Sequence, residues 1–185
     1  REKSIQPFEG NPLYRPLTVS AVKLMIYRCI DLAVGQGYNC FISGLATGTD
    51  LWAAEYVMKK KLSGKKLSLI GAIPYLRHAE RFPQDYKIIL RDVEKCADCL
   101  VTVSDSPNIT YGKGSGNVSQ SLYRDRNYFM VDNSSAVIAF FNSSEFKSGT
   151  YQTLSYAERN GKSICRFGLG DIFRLMSGTE PDMRK

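Results

Sequence analysis

The sequence has a single histidine in 185 residues, so a chemistry that needs several histidines, such as a multi-histidine metal centre, has nothing to draw on. His78 stands alone in Pro74-Tyr75-Leu76-Arg77-His78, with no triad or metal spacing around it. It is expected to be exposed to solvent or in contact with a loop. Long apolar runs are also lacking. The longest are short segments such as Ala136 to Phe141, against the roughly 20 residues that a membrane-spanning helix needs. Arg1-Glu2-Lys3 opens no signal-peptide core. The five cysteines, Cys29, Cys40, Cys96, Cys99 and Cys165, are odd in number. In a chain long enough to bury its own core this argues for a reducing compartment over a disulfide framework. A cytoplasmic protein with no membrane association is expected. Cys96-Ala97-Asp98-Cys99 has the spacing of half a zinc site or of a redox pair, but a second pair and a nearby histidine are both missing, and no metal is expected. The Asn-x-Ser/Thr sequons at Asn108, Asn117, Asn133 and Asn142 read as the polar punctuation of loops and strand ends.

What is present fits one globular domain over residues 1–185, with 43% apolar, 23% charged and 11% aromatic residues. Lys and Arg total 25 against 18 Asp and Glu, a net charge of +7 that favours anionic ligands without naming one. Pro7, Gly10, Pro12 and Pro16 suit an irregular lead-in over residues 1–17. Thr18 then has the chemistry to cap a helix whose apolar residues Val19, Val22, Met25, Ile26, Cys29, Ile30 and Ala33 recur at three- and four-residue steps, stopped by Gly35 and Gly37. Strands are expected at Tyr38 to Ser43, Leu67 to Ile73, Leu100 to Val103, Ala136 to Phe141 and Ile164 to Phe167. Helices are expected at Asp50 to Leu62, Gln84 to Cys96, Ser119 to Met130, Thr150 to Arg159 and Asp171 to Met176. Apolar strands alternating with helices predict an α/β fold, a doubly wound, mainly parallel sheet with helices on both faces. A long polar, glycine-bearing loop from Ser104 to Val118 is expected to be functional or mobile.

Ligands of such sheets bind beyond the carboxyl ends of the strands. Two strand-to-helix turns share a composition there: Ser43-Gly44-Leu45-Ala46-Thr47-Gly48-Thr49-Asp50 and Lys147-Ser148-Gly149-Thr150. Glycine lets backbone N–H groups approach an anion, the following helix adds its positive end, and hydroxyls donate further hydrogen bonds, so each turn has the means to hold a phosphate. The same residues also serve as tight turns with a Thr or Asp cap. Neither has the Gly-Lys-Ser/Thr of a phosphate loop or the Gly-x-Gly-x-x-Gly of a dinucleotide fold. Asp50 fits helix capping or contact with ribose hydroxyls. Glu55, one and a half turns on, fits either the cleft or solvent. Arg126 offers a planar fork for phosphate and Asn127 a base- or sugar-reading amide, against a surface ion pair with Asp125. Lys59-Lys60-Lys61 with Lys65 and Lys66 reads as a solvated helix end, or as a contact for nucleic acid.

The run Ser43 to Glu55 resembles the Ser-Gly-(x)n-Gly-x-Asp-x-Trp-Ala-Ala-Glu motif of YpsA-like proteins, a branch of the SLOG superfamily of Rossmann-like nucleotide-binding domains. Further matches are Ile73-Pro74-Tyr75, Tyr86, Arg126-Asn127, Met130-Val131-Asp132, Ser148-Gly149-Thr150 and Ala157, spanning Thr18 to Phe167. The resemblance implies a nucleotide or nucleotide-derived ligand held by Gly44, Thr47, Gly48 and Asp50 on one side and by Gly149 and Thr150 on the other, with Arg126 and Asn127 lining the same cleft. It also implies a homodimer. YpsA-like chains open with a strand ending in Gly-His-Arg, which this sequence lacks, so that a first strand of the sheet is expected to be missing. The lysine-decarboxylase-like branch, which cleaves nucleoside monophosphates at the N-glycosidic bond, is similar at Arg126-x-x-x-Met130 and at Gly149-Thr150. It has Glu three residues beyond the Thr, where this chain has Thr153. Hydrolysis at an anomeric carbon needs a carboxylate that Thr153 does not supply, leaving Glu55 or Asp50 to stabilise the sugar cation, with Arg126 as phosphate-orienting group, as the catalytic candidates. Three functions follow: binding of a nucleotide-derived ligand as a sensor or regulatory domain, the expectation preferred; N-glycosidic hydrolysis; and single-stranded nucleic-acid binding, which Arg126-Asn127 suggests by similarity to the DNA-processing protein A branch. No cofactor beyond the ligand itself is expected.

Overall fold

A computed structural model describes residues 5–104, 118–142 and 148–179. Most of the polar loop expected between Ser104 and Val118 lies outside them, as do Lys147 and the sequons at Asn108 and Asn117. The fold is α/β and Rossmann-like, with every observed strand pairing parallel. The chain divides into two compact units, one formed by Arg1–Gly37 with Ser135–Lys185 and the other by Tyr38–Ser134.

The Tyr38–Ser134 unit is built on β1 (Cys40–Ser43), β2 (Ser68–Tyr75) and β3 (Cys99–Ser104), in that spatial order. Phe41 pairs with Leu69, Ser43 with Gly71, and Gly71 in turn with Leu100. Helix α2 (Thr49–Leu62) returns the chain from β1 to β2, α3 (Gln84–Cys96) from β2 to β3, and α4 (Val118–Asp132) follows β3. Strand β2, central in its sheet, is buried from Gly71 to Tyr75. Parallel strands flanked on both sides are expected to be apolar throughout for this reason. Leu51, Trp52, Ala54, Val57 and Met58 form the buried stripe of α2, which packs on β1, β2 and α3. Each buried side chain of that size contributes about 2 kcal/mol. The lysines at the end of α2 are engaged. Lys61 Nζ reaches Asp98 Oδ2 at 2.5 Å and the Cys96 carbonyl at 2.8 Å, Lys59 pairs with Glu55, and Lys60 lies 5.0 Å from the Tyr56 ring centroid.

The other unit carries α1 (Arg15–Gly35), β4 (Ala136–Phe140), α5 (Gly149–Arg159), β5 (Ser163–Phe167) and α6 (Leu169–Met176). The expected boundary of α1 is corrected. Its first residue is Arg15, with Pro16 in the first turn, where the missing proline N–H costs nothing. Thr18 is therefore inside the helix, not its cap: its hydroxyl donates to the Tyr14 carbonyl and accepts from Phe8 N, both at 2.9 Å. The lead-in is also more ordered than its prolines suggest. It forms two short 3-10 turns, Phe8–Gly10 and Pro12–Tyr14, with Phe8 edge-on to Tyr14 and to Phe173 of α6. The expected apolar stripe is buried from Val19 to Ile30, and α1 packs on α6 and β4.

Candidate functional site

The turn from β1 into α2 is held by its own backbone and by one hydroxyl. Ser43 Oγ donates to the Asp50 carbonyl at 2.8 Å and accepts from Leu45 N at 3.3 Å. Leu45 is fully buried and sits in the left-handed region, φ 51°, a conformation that a branched residue keeps only under external constraint. Gly71 of β2 supplies the space. A Cβ there would come within 2.6 Å of both Leu45 Cδ1 and Leu100 Cδ2. Gly48 precedes the first residue of α2 at φ 95°, ψ −133°, a region essentially closed to other residues. No side chain caps α2, and its first in-turn bonds run from Leu51 N to Ala46 O at 3.1 Å and from Trp52 N to Gly48 O at 3.0 Å. The N–H groups of Thr49 and Asp50 thus head the positive end of the helix. Asp50 does not cap the helix, the use its position suggested, because the helix begins one residue before it.

Beneath the turn lies Arg126 of α4, only 4% exposed. Its Nη1 donates to the Gly44 carbonyl and stands 3.7 Å from Asp50 Oδ2. The guanidinium carbon is 5.8 Å from the Tyr123 ring centroid, and Nε is buried without a hydrogen-bond partner. Burial lowers the pKa of Arg126, while the Asp50 carboxylate and Tyr123 oppose that. The surface pair with Asp125 is made by Arg124 instead, at 2.9 Å; Arg126 turns inward. A Cβ on Gly44 would fall 2.6 Å from Asp50 Oδ2 and into the guanidinium, so any larger residue there has to move the Arg126 and Asp50 side chains.

His78, expected at the surface or against a loop, is 5% exposed in the turn after β2. Its ring hydrogen-bonds the Leu45 backbone and meets Phe82 edge-on at 5.4 Å. Nε2 is buried without a partner. Burial, reinforced by the charge on Arg126, pushes its pKa down to about 4 against the opposing Leu45 bond, which keeps the ring neutral at neutral pH. The loop contact is the one of the two expectations for His78 that the structure shows, whereas Leu45 and Tyr123 were passed over by sequence reasoning. Nothing in a leucine announces a left-handed backbone, and a tyrosine on a helix gives no sign that an arginine stacks on it.

Thr47 and Thr49 are half-buried in the turn, and Asn127 is half-buried on α4. The Glu55 carboxylate is bound to Lys59 Nζ at 2.6 Å. The second turn belongs to the other unit. There Ser148 Oγ caps α5 by accepting from Tyr151 N at 3.1 Å, and Thr153 Oγ1 donates to the Gly149 carbonyl at 2.8 Å. Gly149 and Thr150 are exposed, and a Cβ on Gly149 would meet nothing within 4 Å. Ser148 thus performs the capping role that its composition equally allowed. Among the described residues no group of three potential metal ligands converges, and Asp98 of the Cys96–Cys99 segment is committed to Lys61 and to Leu69 N.

Comparison with known proteins agrees with the sequence motif. The uncharacterized SPbeta prophage-derived protein YoqJ of Bacillus subtilis (strain 168) is 30% identical over 130 residues, covering 70% of this chain and 75% of its own length. A UPF0398 protein of Macrococcus caseolyticus (strain JCSC5402) is 26% identical over 158 residues, or 83% of this chain and 80% of that protein. The model of the YspA SLOG family matches residues 16–167. With that match covering most of its length and carrying the β1–α2 turn, the chain belongs to the YspA SLOG family.

Proposed function

We propose that the protein binds the anionic part of a nucleotide or nucleotide-derived ligand at the β1–α2 turn and acts as a sensor or regulatory domain. The observation that carries this reading is the pairing of an uncapped α2 N-terminus, preceded by Gly48, with the buried Arg126 guanidinium bonded to the Gly44 carbonyl of the same turn. Helix dipole and arginine charge act in the same sense on an incoming phosphate. Membership of a SLOG family supports a nucleotide-related ligand. Binding without turnover fits better than N-glycosidic hydrolysis. The hydrolytic state needs an available carboxylate, whereas Glu55 is tied to Lys59 and Asp50 lies 3.7 Å from the Arg126 guanidinium.

Thermal unfolding in the presence of nucleoside monophosphates, cyclic nucleotides, ADP-ribose and NAD tests the proposal. A ligand at about 100 times its Kd raises the midpoint by about 5 to 10 °C. One nucleotide class is expected to do so without release of free base, and a midpoint unmoved by every compound would overturn the reading. Base release under saturating substrate would replace binding with hydrolysis.

A further inference from the structure

Two of the five cysteines meet inside one compact unit. Cys29 of α1 is 1% exposed and Cys165 of β5 is half-buried, with their Sγ atoms 3.7 Å apart across 136 residues of sequence. Both lie in the unit formed by Arg1–Gly37 and Ser135–Lys185, and both are free thiols. A disulfide sulfur–sulfur distance is about 2.0 Å. The 3.7 Å between the two sulfurs is therefore less than about 2 Å more than a disulfide bond spans.

We propose that Cys165 is an oxidant-reactive thiol and Cys29 its resolving partner, so that a hydroperoxide converts the pair into a disulfide tying α1 to β5. The proposal is independent of the nucleotide reading. The two sulfurs are not equivalent. Cys29 keeps its proton: its hydrogen bond to Cys165, its burial and the Asp171 carboxylate of α6 all push its pKa up. The same hydrogen bond draws Cys165 down to about 7, with burial opposing. At neutral pH a sizeable fraction of Cys165 is therefore thiolate, the form that attacks peroxide. In the first step the Cys165 sulfur takes one peroxide oxygen. The S–O bond forms, the O–O bond breaks, hydroxide leaves, and the sulfur is oxidised to sulfenic acid while the peroxide is reduced. In the second step the Cys29 sulfur attacks the Cys165 sulfur, the S–S bond forms, the S–O bond breaks, and hydroxide departs to become water with the Cys29 proton. Two thiols and one hydrogen peroxide yield one disulfide and two waters, and a dithiol reductant reverses the change.

The test is treatment of the full chain with about equimolar hydrogen peroxide, followed by thiol alkylation and peptide mapping by mass. The expected result is a Cys29–Cys165 cross-linked peptide, loss of two of the five thiols, and recovery of both with dithiothreitol. The rate is expected to rise about tenfold between pH 6 and pH 8, following the Cys165 thiolate. In Cys29→Ala, dimedone is expected to trap a sulfenic acid at Cys165; in Cys165→Ser, Cys29 is expected to stay reduced. Thermal melts of the variants confirm that they fold, and the wild-type map decides the question without them. The proposal is overturned if Cys29 and Cys165 stay reduced while exposed Cys40 or Cys99 is oxidised, or if the disulfides formed join separate molecules.

Discussion

At the residue scale the site depends on what lies under the turn more than on what lines it. The Gly44 carbonyl and Asp50 carboxylate both face Arg126, so a side chain at position 44 displaces a buried cation. Gly44→Ala is expected to destabilise the protein by about 2 kcal/mol, as overpacking of a closed site does, and urea unfolding monitored by fluorescence measures it. His78 gives a second prediction. Its pKa falls from 6.5 to about 4 on folding, so the unfolded chain takes up the proton first as pH drops. The stability associated with the neutral ring is complete above about pH 6.5 and is lost progressively toward pH 4, by about 3 kcal/mol over the whole window. His78→Gln is expected to flatten that part of the stability profile, and denaturant midpoints at pH 7, 6, 5 and 4.5 compare the two proteins. The glycines of this turn were legible in the sequence because spacing alone marks a glycine-rich turn between an apolar strand and a helix. The residue chemistry of Arg126 left a site role and a surface pair with Asp125 both open, and only the packing of α4 decides between them by burying Arg126 and leaving Arg124 to pair with Asp125.

At the scale of elements, alternation of apolar strands and helices was enough to fix their kind and order. Strand Ala136–Phe140 and helix Gln84–Cys96 fall where periodicity expects them. Boundaries were less legible where one residue has two uses. Thr18 has a good capping side chain, yet Pro16 starts the helix earlier and Thr18 bonds to Phe8 and Tyr14 instead. The lysine run ending α2 looked like a solvated cluster, but the partners of Lys61 lie far along the chain at Cys96 and Asp98, where no local pattern reveals them. The α5 turn yields a prediction of its own. Gly149 has φ outside the left-handed region and open space around it, so Gly149→Ala is expected to leave stability unchanged or to raise it by up to about 1 kcal/mol through helix propensity. A chemical denaturation curve checks this, and a loss of nucleotide affinity in the same variant would mark Gly149 as a point of close ligand approach.

At the scale of the whole molecule, the net charge is +7; three of the lysines behind it, Lys59, Lys60 and Lys61 at the end of α2, have intramolecular partners, while Lys65 and Lys66 just beyond are exposed. With three lysines of this cluster engaged and Lys65 and Lys66 left exposed, binding to a short single strand is expected to be weak and to fall only shallowly with salt, with fewer than about three phosphates neutralised there; fluorescence anisotropy at two or three salt concentrations measures the slope. Among the described residues no helix is long and apolar enough to cross a membrane. The family motif lay in one contiguous run, Ser43 to Glu55, which is why the sequence alone sufficed to identify it. The hydrogen bonds around that run join residues as distant as Gly44 and Arg126, and these needed the fold.

Thr49→Asp probes the proposed anion site at the head of α2. An acidic residue in the first turn favours the helix itself by about 0.3 to 1 kcal/mol, so the variant keeps its fold while placing a negative charge where the ligand phosphate is to bind. The measurement is calorimetric titration of AMP and of ADP-ribose into the wild-type chain and into Thr49→Asp. Saturable binding of at least one of them to the wild type is expected, with an affinity at least about tenfold lower in the variant, the equivalent of about 1.4 kcal/mol, and no loss of thermal stability. Equal affinity in the two proteins would contradict an anion site at that position.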